Sequence, residues 1–170
     1  AQIPTRWAQH TVVDTVNLSP TAFWEAFSQI DLEQVGSVGD YQDLPQIEKT
    51  TPVHGDFTAV GHARRVHFNT GQTVLESIIE YLPGIRFAYE LTEVELDLRR
   101  VAHRARGQWQ YTPLANGRTQ ISWTYGFEQK NIFAKLFIRQ YIRSTHRHWM
   151  RDTLAETIRL SEQMPLAVHP

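Results

Sequence analysis

The stretch RARGQWQYTPLANGRTQISWTYGF, residues 104–127, alternates large aromatic residues with polar ones on both sides of LANGR. Alternation with a period of two predicts two antiparallel β-strands, each with one apolar and one polar face. A two-residue Asn-Gly turn would put the two aromatic rows on opposite faces. A three-residue loop, Ala115–Gly117, with Gly117 left-handed and a bulge beside it, puts them on the same face.

The hairpin therefore has an aromatic inner face and a polar outer face. Its opposed pairs are predicted to be Trp109 with Trp123, Tyr111 with Ile121, and Gly107 with Tyr125. Gly107 is expected to leave space on the inner face. Buried Trp and Tyr need partners for their N–H and O–H groups, whereas a sealed core more naturally uses Leu, Ile, Val and Phe. The pattern favours a partly wet, ligand-sized cavity over a filled core.

The overall composition excludes several functional classes. The chain has 170 residues and a net charge of −1, so it carries no bulk field that would attract nucleic acid. It has no cysteine, which excludes disulfides, thiolate catalysis and Cys-based zinc sites. No apolar run reaches the ~20 residues of a membrane span. The cellular compartment stays open, with the cytoplasm favoured. The sequence also leaves open whether a tag, a Met or a signal peptide was removed before Ala1.

The N-terminal half predicts one strand, two short helices and a meander. Residues 10–18 have the β-branched content of a first strand. Ser19 is the predicted N-cap and Pro20 the first residue of a short helix. A second helical turn and a loop are expected in residues 31–45. Turn signals then recur about every ten residues, which is typical of an antiparallel meander.

The C-terminal region, residues 131–163, lacks Gly and Pro and predicts one long helix capped by Asn131. Two rows spaced by four residues define its faces, and they lie nearly opposite each other. The aromatic row, expected to face the sheet, is Phe133, Phe137, Tyr141, Thr145 and Trp149. The basic row is Lys135, Arg139, Arg143, Arg147 and Arg151. A solvated face is the favoured interpretation of the basic row, over contact with anionic lipid or an acidic partner.

This order of elements resembles the START-like or Bet v 1-like (SRPBCC) superfamily, in particular its bacterial polyketide cyclase/dehydrase-like members. The matching stretches are SPTAFWEAFSQI, VGHARRVHFNTGQTVLESIIEYLPGIRFAYEL and GQWQYTPLANGRTQISWTYGF. The resemblance implies an α+β helix-grip fold: a curved seven-stranded antiparallel sheet wrapped around a long C-terminal helix, with two short helices after strand 1. We expect one domain over residues 1–170, with its core at about 11–163.

The resemblance implies a deep apolar cavity between the sheet and the C-terminal helix. We predict that a small aromatic, polyketide-like or lipid-like molecule binds there, the protein acting as carrier or sensor. Two alternatives stay open: a polyketide cyclase or dehydratase using the same cavity, and an interaction module with a filled core. The predicted ligand-binding residues are Phe87, Tyr89, Trp109, Tyr111, Trp123, Tyr125, Phe137 and Tyr141.

Catalytic candidates are fewer, and they depend on strand register. If Thr70-Gly71 forms a two-residue turn, Arg65 lies opposite Glu76, with His67 on the same face. This face is expected to point outward, although an inward Arg65–Glu76 pair could orient a carbonyl or move a proton. His103 is a further candidate at one end of the cavity, although a solvent-exposed position at the end of a strand is the favoured interpretation. No metal or cofactor site is predicted, and the oligomeric state is open, a homodimer included.

Overall fold

Seven antiparallel strands form one open, curved sheet in the order β1-β7-β6-β5-β4-β3-β2. The computed structural model describes residues 3–165. The strands are β1 (Ala8–Val16), β2 (Ile47–His54), β3 (Ala63–Phe68), β4 (Thr73–Leu82), β5 (Arg86–Thr92), β6 (Ala102–Pro113) and β7 (Thr119–Gln129). The α-helices are α1 (Pro20–Phe27), α2 (Leu32–Val35), α3 (Ile132–Tyr141) and α4 (Arg147–Gln163). The predicted helix-grip fold is confirmed.

The β6–β7 hairpin has the predicted register. Trp109 pairs with Trp123, Tyr111 with Ile121 and Gly107 with Tyr125. Residues 115–117 form the loop, in which both Asn116 and Gly117 are left-handed, at φ 63° and 69°. No bulge lies beside Gly117. The irregularity falls instead between Ala102 and Ala105, at the start of β6.

The two N-terminal helices follow their capping signals. The Ser19 side chain accepts a hydrogen bond from the Ala22 amide at 3.2 Å, and Pro20 opens α1. Phe23 is fully buried, so α1 is held to the sheet by its apolar face. The second predicted turn is α2, whose Val35 is also buried.

The C-terminal helix is not continuous in its hydrogen bonding. A π-helical segment, Ile142–His146, separates α3 from α4 and shifts the phase of the helical faces. The expected aromatic row is therefore wrong at its start: Phe133 is 79% exposed and Phe137 63% exposed. The buried residues of α3 are Ala134 and Ile138. Asn131 is the N-cap as predicted, accepting from the Ala134 amide at 2.8 Å.

The predicted β3–β4 register is wrong by one residue. Arg64, not Arg65, pairs with Glu76, and His67 pairs with Thr73. The cause is the turn: the Phe68 amide bonds the Gln72 carbonyl at 3.0 Å, so three residues, not two, form the loop. A one-residue slip moves every side chain of a strand to the other face relative to its partner. The inner face consequently carries Arg64 and Glu76 together.

Most of the core lies between the sheet, α1 and the C-terminal helix, and a smaller apolar cluster lies on β2–β4. Helix α4 packs chiefly on β1, α1 and α2. Met150 and Leu154 of α4 are buried there with Val12 and Val16 of β1. The inner face of β3–β5 lies away from this contact, and this geometry creates the site described below. No helix in residues 3–165 is long and apolar enough to cross a membrane.

Candidate functional site

A cavity of about 1460 Å³ lies between the inner face of the sheet and the C-terminal helix. Its walls come from β2–β7, α1, α2 and the C-terminal helix. Most of the lining is apolar or aromatic, including Val66, Phe68, Val74, Leu91 and Trp109. Side chains therefore do not fill the space beneath the hairpin. An interaction module, the second alternative above, was expected to have a filled core instead.

The floor of the cavity is an aromatic cluster on β5, β6 and β7. The indoles of Trp109 and Trp123 stack with ring centroids 4.6 Å apart. Trp123 Nε1–H donates to the Tyr89 hydroxyl at 3.2 Å, and burial raises the pKa of that tyrosine. Gly107 makes room for Tyr89, since a Cβ at this position would lie within 3.0 Å of its Cζ and Oη. The space expected beside Gly107 is thus filled by the Tyr89 ring.

One wall carries a charged pair. The Arg64 guanidinium donates to the Glu76 carboxylate at 3.2 Å, and Glu76 is 4% exposed. The same guanidinium lies 4.0 Å from the centroid of the Phe57 ring, a cation–π contact that fixes its position. Both residues line the cavity. A buried carboxylate with one cationic partner keeps lone pairs free for a ligand hydroxyl.

The opposite wall carries a buried histidine in the π-helical segment. His146 is 4% exposed and lies among aromatic rings, with Tyr125 at 4.5 Å and Phe127 at 5.0 Å between centroids. Burial lowers its pKa to about 3, with a smaller contribution from His10. Its Nδ1 has no hydrogen-bond partner among the described residues. The ring is therefore neutral, and it lines the cavity.

The structure brings seven of the eight predicted ligand-binding residues to the cavity. They are Phe87, Tyr89, Trp109, Trp123, Tyr125, Phe137 and Tyr141. Phe137 lies at the opening and is mostly exposed. Tyr111 lies behind the wall, because Phe23 and Trp24 of α1 pack against it at 5.6 and 5.9 Å. Ligand contact by any of these residues stays a prediction.

Two of the three catalytic candidates lie outside the cavity. Arg65 points to the outer face, where it donates to Glu93 at 2.6 Å. His67, from the same predicted face, bonds Thr51 at 2.8 Å. His103 is exposed, because the irregularity between Ala102 and Ala105 breaks the alternation on which its inward position depended. Glu76 does line the cavity.

Sequence reasoning missed Arg64, His146 and Thr153 as cavity residues. The Thr153 hydroxyl, on α4, is buried without a hydrogen-bond partner among the described residues. A three-residue turn at NTG would have brought Arg64 inward. No local signal marks the π-helical segment that turns His146 toward the sheet. Within residues 3–165, no group of His, Asp and Glu side chains could hold a metal ion.

Solved structures of three bacterial proteins resemble this chain. The protein XoxI from Bacillus cereus is 11% identical, with a TM-score of 0.65 over 92% of this chain and 96% of that one. The Zhui aromatase/cyclase from Streptomyces sp. R1128 is 14% identical, with a TM-score of 0.63 over 91% and 93%. MLL2253 from Mesorhizobium loti is 14% identical, with a TM-score of 0.61 over 92% and 100%.

No protein-family profile matches the chain, and no curated protein matches it. At identities this low, the structural likeness shows the fold. It confirms the helix-grip fold that the resemblance implies.

Proposed function

We propose that the chain binds a small hydrophobic molecule, aromatic, polyketide-like or lipid-like, as a carrier or sensor. The cavity carries this proposal: about 1460 Å³ of mostly apolar space with a few inward polar groups. Ligand pockets typically measure ~300–1,000 Å³ and share this composition. The larger volume favours a molecule with several rings or a long chain over a single small ring.

The polar groups give the guest an orientation. Glu76 and Arg64 on one wall offer an acceptor and a donor, and His146 on the other offers a neutral imidazole. Apolar contact with Trp109 and Phe87 would supply most of the affinity, at about 25 cal/mol per Å² buried. A hydrophobic molecule with a hydroxyl or carbonyl group at each end matches this arrangement.

Filling the cavity from one wall is expected to weaken ligand binding at least about tenfold, which is ~1.4 kcal/mol. Val66 and Val74 oppose each other on β3 and β4, line the cavity and are buried. The double variant Val66→Phe/Val74→Phe places two rings in the empty space. Displacement of an environment-sensitive fluorescent fatty-acid probe measures the change, after native mass spectrometry has identified any retained molecule.

Val13→Phe is the matched control, since Val13 lies on β1 and is 55% exposed. This variant adds a ring to the protein without entering the cavity and should bind the probe like wild type. Equal affinity of the double variant and wild type would place the probe elsewhere and contradict the proposal.

A second candidate function is an enzyme of the cyclase or dehydratase type. Glu76 favours it, because a nearly buried carboxylate faces the cavity with Arg64 beside it and His146 across from it. Such groups could move a proton while the walls hold a flexible chain in a reactive shape. The fold shared with the Zhui aromatase/cyclase is compatible with this chemistry.

If the chain is such an enzyme, Glu76→Gln should slow turnover of a poly-β-keto thioester about 10²–10⁴-fold, as loss of a general base does. Formation of an aromatic product, followed by absorbance, measures turnover. Glu90→Gln is the matched control, since Glu90 pairs with Arg106 at 2.7 Å on the outer face. A wild-type protein that binds but never converts this substrate, or equal rates in both variants, would contradict the enzymatic function.

A further inference from the structure

Helix α3 exposes an apolar surface that nothing in the described chain covers. Ile132 is 65% exposed, Phe133 79%, Leu136 57% and Phe137 63%. We call these four residues the α3 apolar face. Contiguous exposed patches of this kind are rare on monomeric proteins and mark interaction sites. Since Ala134 and Ile138 hold the helix to the sheet, the larger side chains are free for another contact.

The same region is the most basic part of the chain. Six cations and no acidic residue occur from Lys130 to Arg151, in a protein whose net charge is −1. Within residues 3–165, none of the six forms a salt bridge to an acidic side chain. Arg139 and Arg143 are exposed, and Arg139 lies about 60° around the helix from Leu136. The cations thus border the α3 apolar face and leave it uncovered.

The α3 apolar face is continuous with the opening of the cavity. Phe137 belongs to both, and Gln140, Tyr141 and Ser144 continue the lining along the same helix. A surface that docks on α3 therefore lies next to the route by which a hydrophobic molecule would enter or leave.

We propose that α3 docks on an anionic lipid bilayer. The α3 apolar face inserts at the boundary between headgroups and acyl chains, while Arg139 and Arg143 contact lipid phosphates. Amphipathic helices with aromatic residues on one side and cations on the other bind membranes in this manner. Docking turns the cavity opening toward the bilayer. Any transfer of a ligand from the membrane rests on the proposed function, but membrane binding itself does not.

A second copy of the chain fits this surface less well. A two-fold interface repeats the same patch on both partners, so the basic border of one α3 would approach the basic border of the other. Like charges brought together cost free energy, whereas anionic headgroups neutralise them. Charge complementarity therefore favours a negatively charged partner, and the exposed aromatic and aliphatic side chains of the α3 apolar face favour a lipid surface.

Vesicle flotation tests the proposal. The full chain should bind vesicles of mixed phosphatidylcholine and phosphatidylglycerol, bind pure phosphatidylcholine weakly, and release from the mixture as salt rises. Phe133→Ser/Phe137→Ser should lower the partition coefficient at least about tenfold. Arg139→Gln/Arg143→Gln should lower it about 25-fold on anionic vesicles, at about fivefold per cation.

Matched controls separate this surface from general effects. Arg118→Gln removes an exposed cation at the hairpin loop, at the other end of β7 from α3, and should bind like wild type. Val66→Phe/Val74→Phe narrows the cavity and should also bind vesicles like wild type, so membrane binding is tested independently of ligand binding. Two results would overturn the proposal that α3 docks on anionic lipid. One is a wild-type protein that does not bind anionic vesicles, and the other is a dimer that Phe133→Ser/Phe137→Ser dissociates.

Discussion

Replacing Gly107 by alanine is expected to lower the free energy of unfolding by about 2–4 kcal/mol. The new Cβ would lie within 3.0 Å of Cζ and Oη of Tyr89, a distance that real Cβ atoms do not adopt. The Tyr89 ring must move, and its hydrogen bond from Trp123 is then lost. Because Trp123 stacks on Trp109, the floor of the cavity shifts as well. Urea unfolding followed by tryptophan fluorescence measures the loss.

A double-mutant cycle separates this clash from a general effect of alanine in β6. Tyr89→Leu removes the ring that the new Cβ would meet, at the cost of a local void. The double variant Gly107→Ala/Tyr89→Leu should be less destabilised than the sum of the two single variants. Strict additivity of the two effects would show that Gly107 is not needed for the position of Tyr89.

The β6–β7 hairpin could be predicted because two independent constraints agree there. Aromatic and polar residues alternate without interruption from Trp109 to Tyr111 and from Ile121 to Tyr125. Of a two-residue turn and a three-residue loop at Asn116-Gly117, only the loop places both rows on the same face, and this choice gives the register. The structure has this register throughout.

In the β3–β4 hairpin, the alternation of residues does not support one register, so the two constraints do not agree. Arg64 and Arg65 are adjacent, so each face of β3 carries a cation and the pattern does not identify the inner one. Loop length then decided the register alone, and the loop is one residue longer than predicted. The favoured, solvent-exposed position of His103 is confirmed, whereas its inward alternative is wrong because the irregularity at the start of β6 leaves no trace in the order of residues.

The candidate site depends on contacts that a linear pattern does not contain. Glu76 and His146 are brought to opposite walls by sheet curvature and by the π-helical segment Ile142–His146. The cavity exists because α4 packs chiefly on β1, α1 and α2 and makes little direct contact with β3–β5. The aromatic residues of the hairpin predicted that its inner face would be covered by other side chains or by a ligand. It could not predict how much of the space side chains fill.

Below about pH 6.5, the wild-type protein is expected to lose stability at up to about 1.4 kcal/mol per pH unit because of His146. Burial lowers the pKa of His146 from 6.5 to about 3, so the unfolded state binds a proton that the folded state does not. The contribution of neutral His146 to the free energy of unfolding is complete above pH 6.5, the pKa of this group in the unfolded state. It decreases as the pH falls toward the pKa of about 3 in the folded state. His146→Phe should remove this contribution, because phenylalanine fits among the rings of Tyr125 and Phe127 and carries no proton.

Urea unfolding of wild type and His146→Phe at several pH values measures the difference between them. Near neutral pH the two should be similar in stability, since His146 Nδ1 makes no hydrogen bond within the described chain that the variant would lose. At about pH 5 the variant should be more stable by about 2 kcal/mol. His148→Gln is the matched control, because His148 lies two residues further on and is exposed.

His10 also has a pKa lowered by burial, with smaller contributions from Arg147 and Arg151. If His146→Phe loses stability at low pH as much as wild type does, the acid sensitivity comes from His10 or from carboxylates. That result would contradict the placement of a neutral His146 against the cavity.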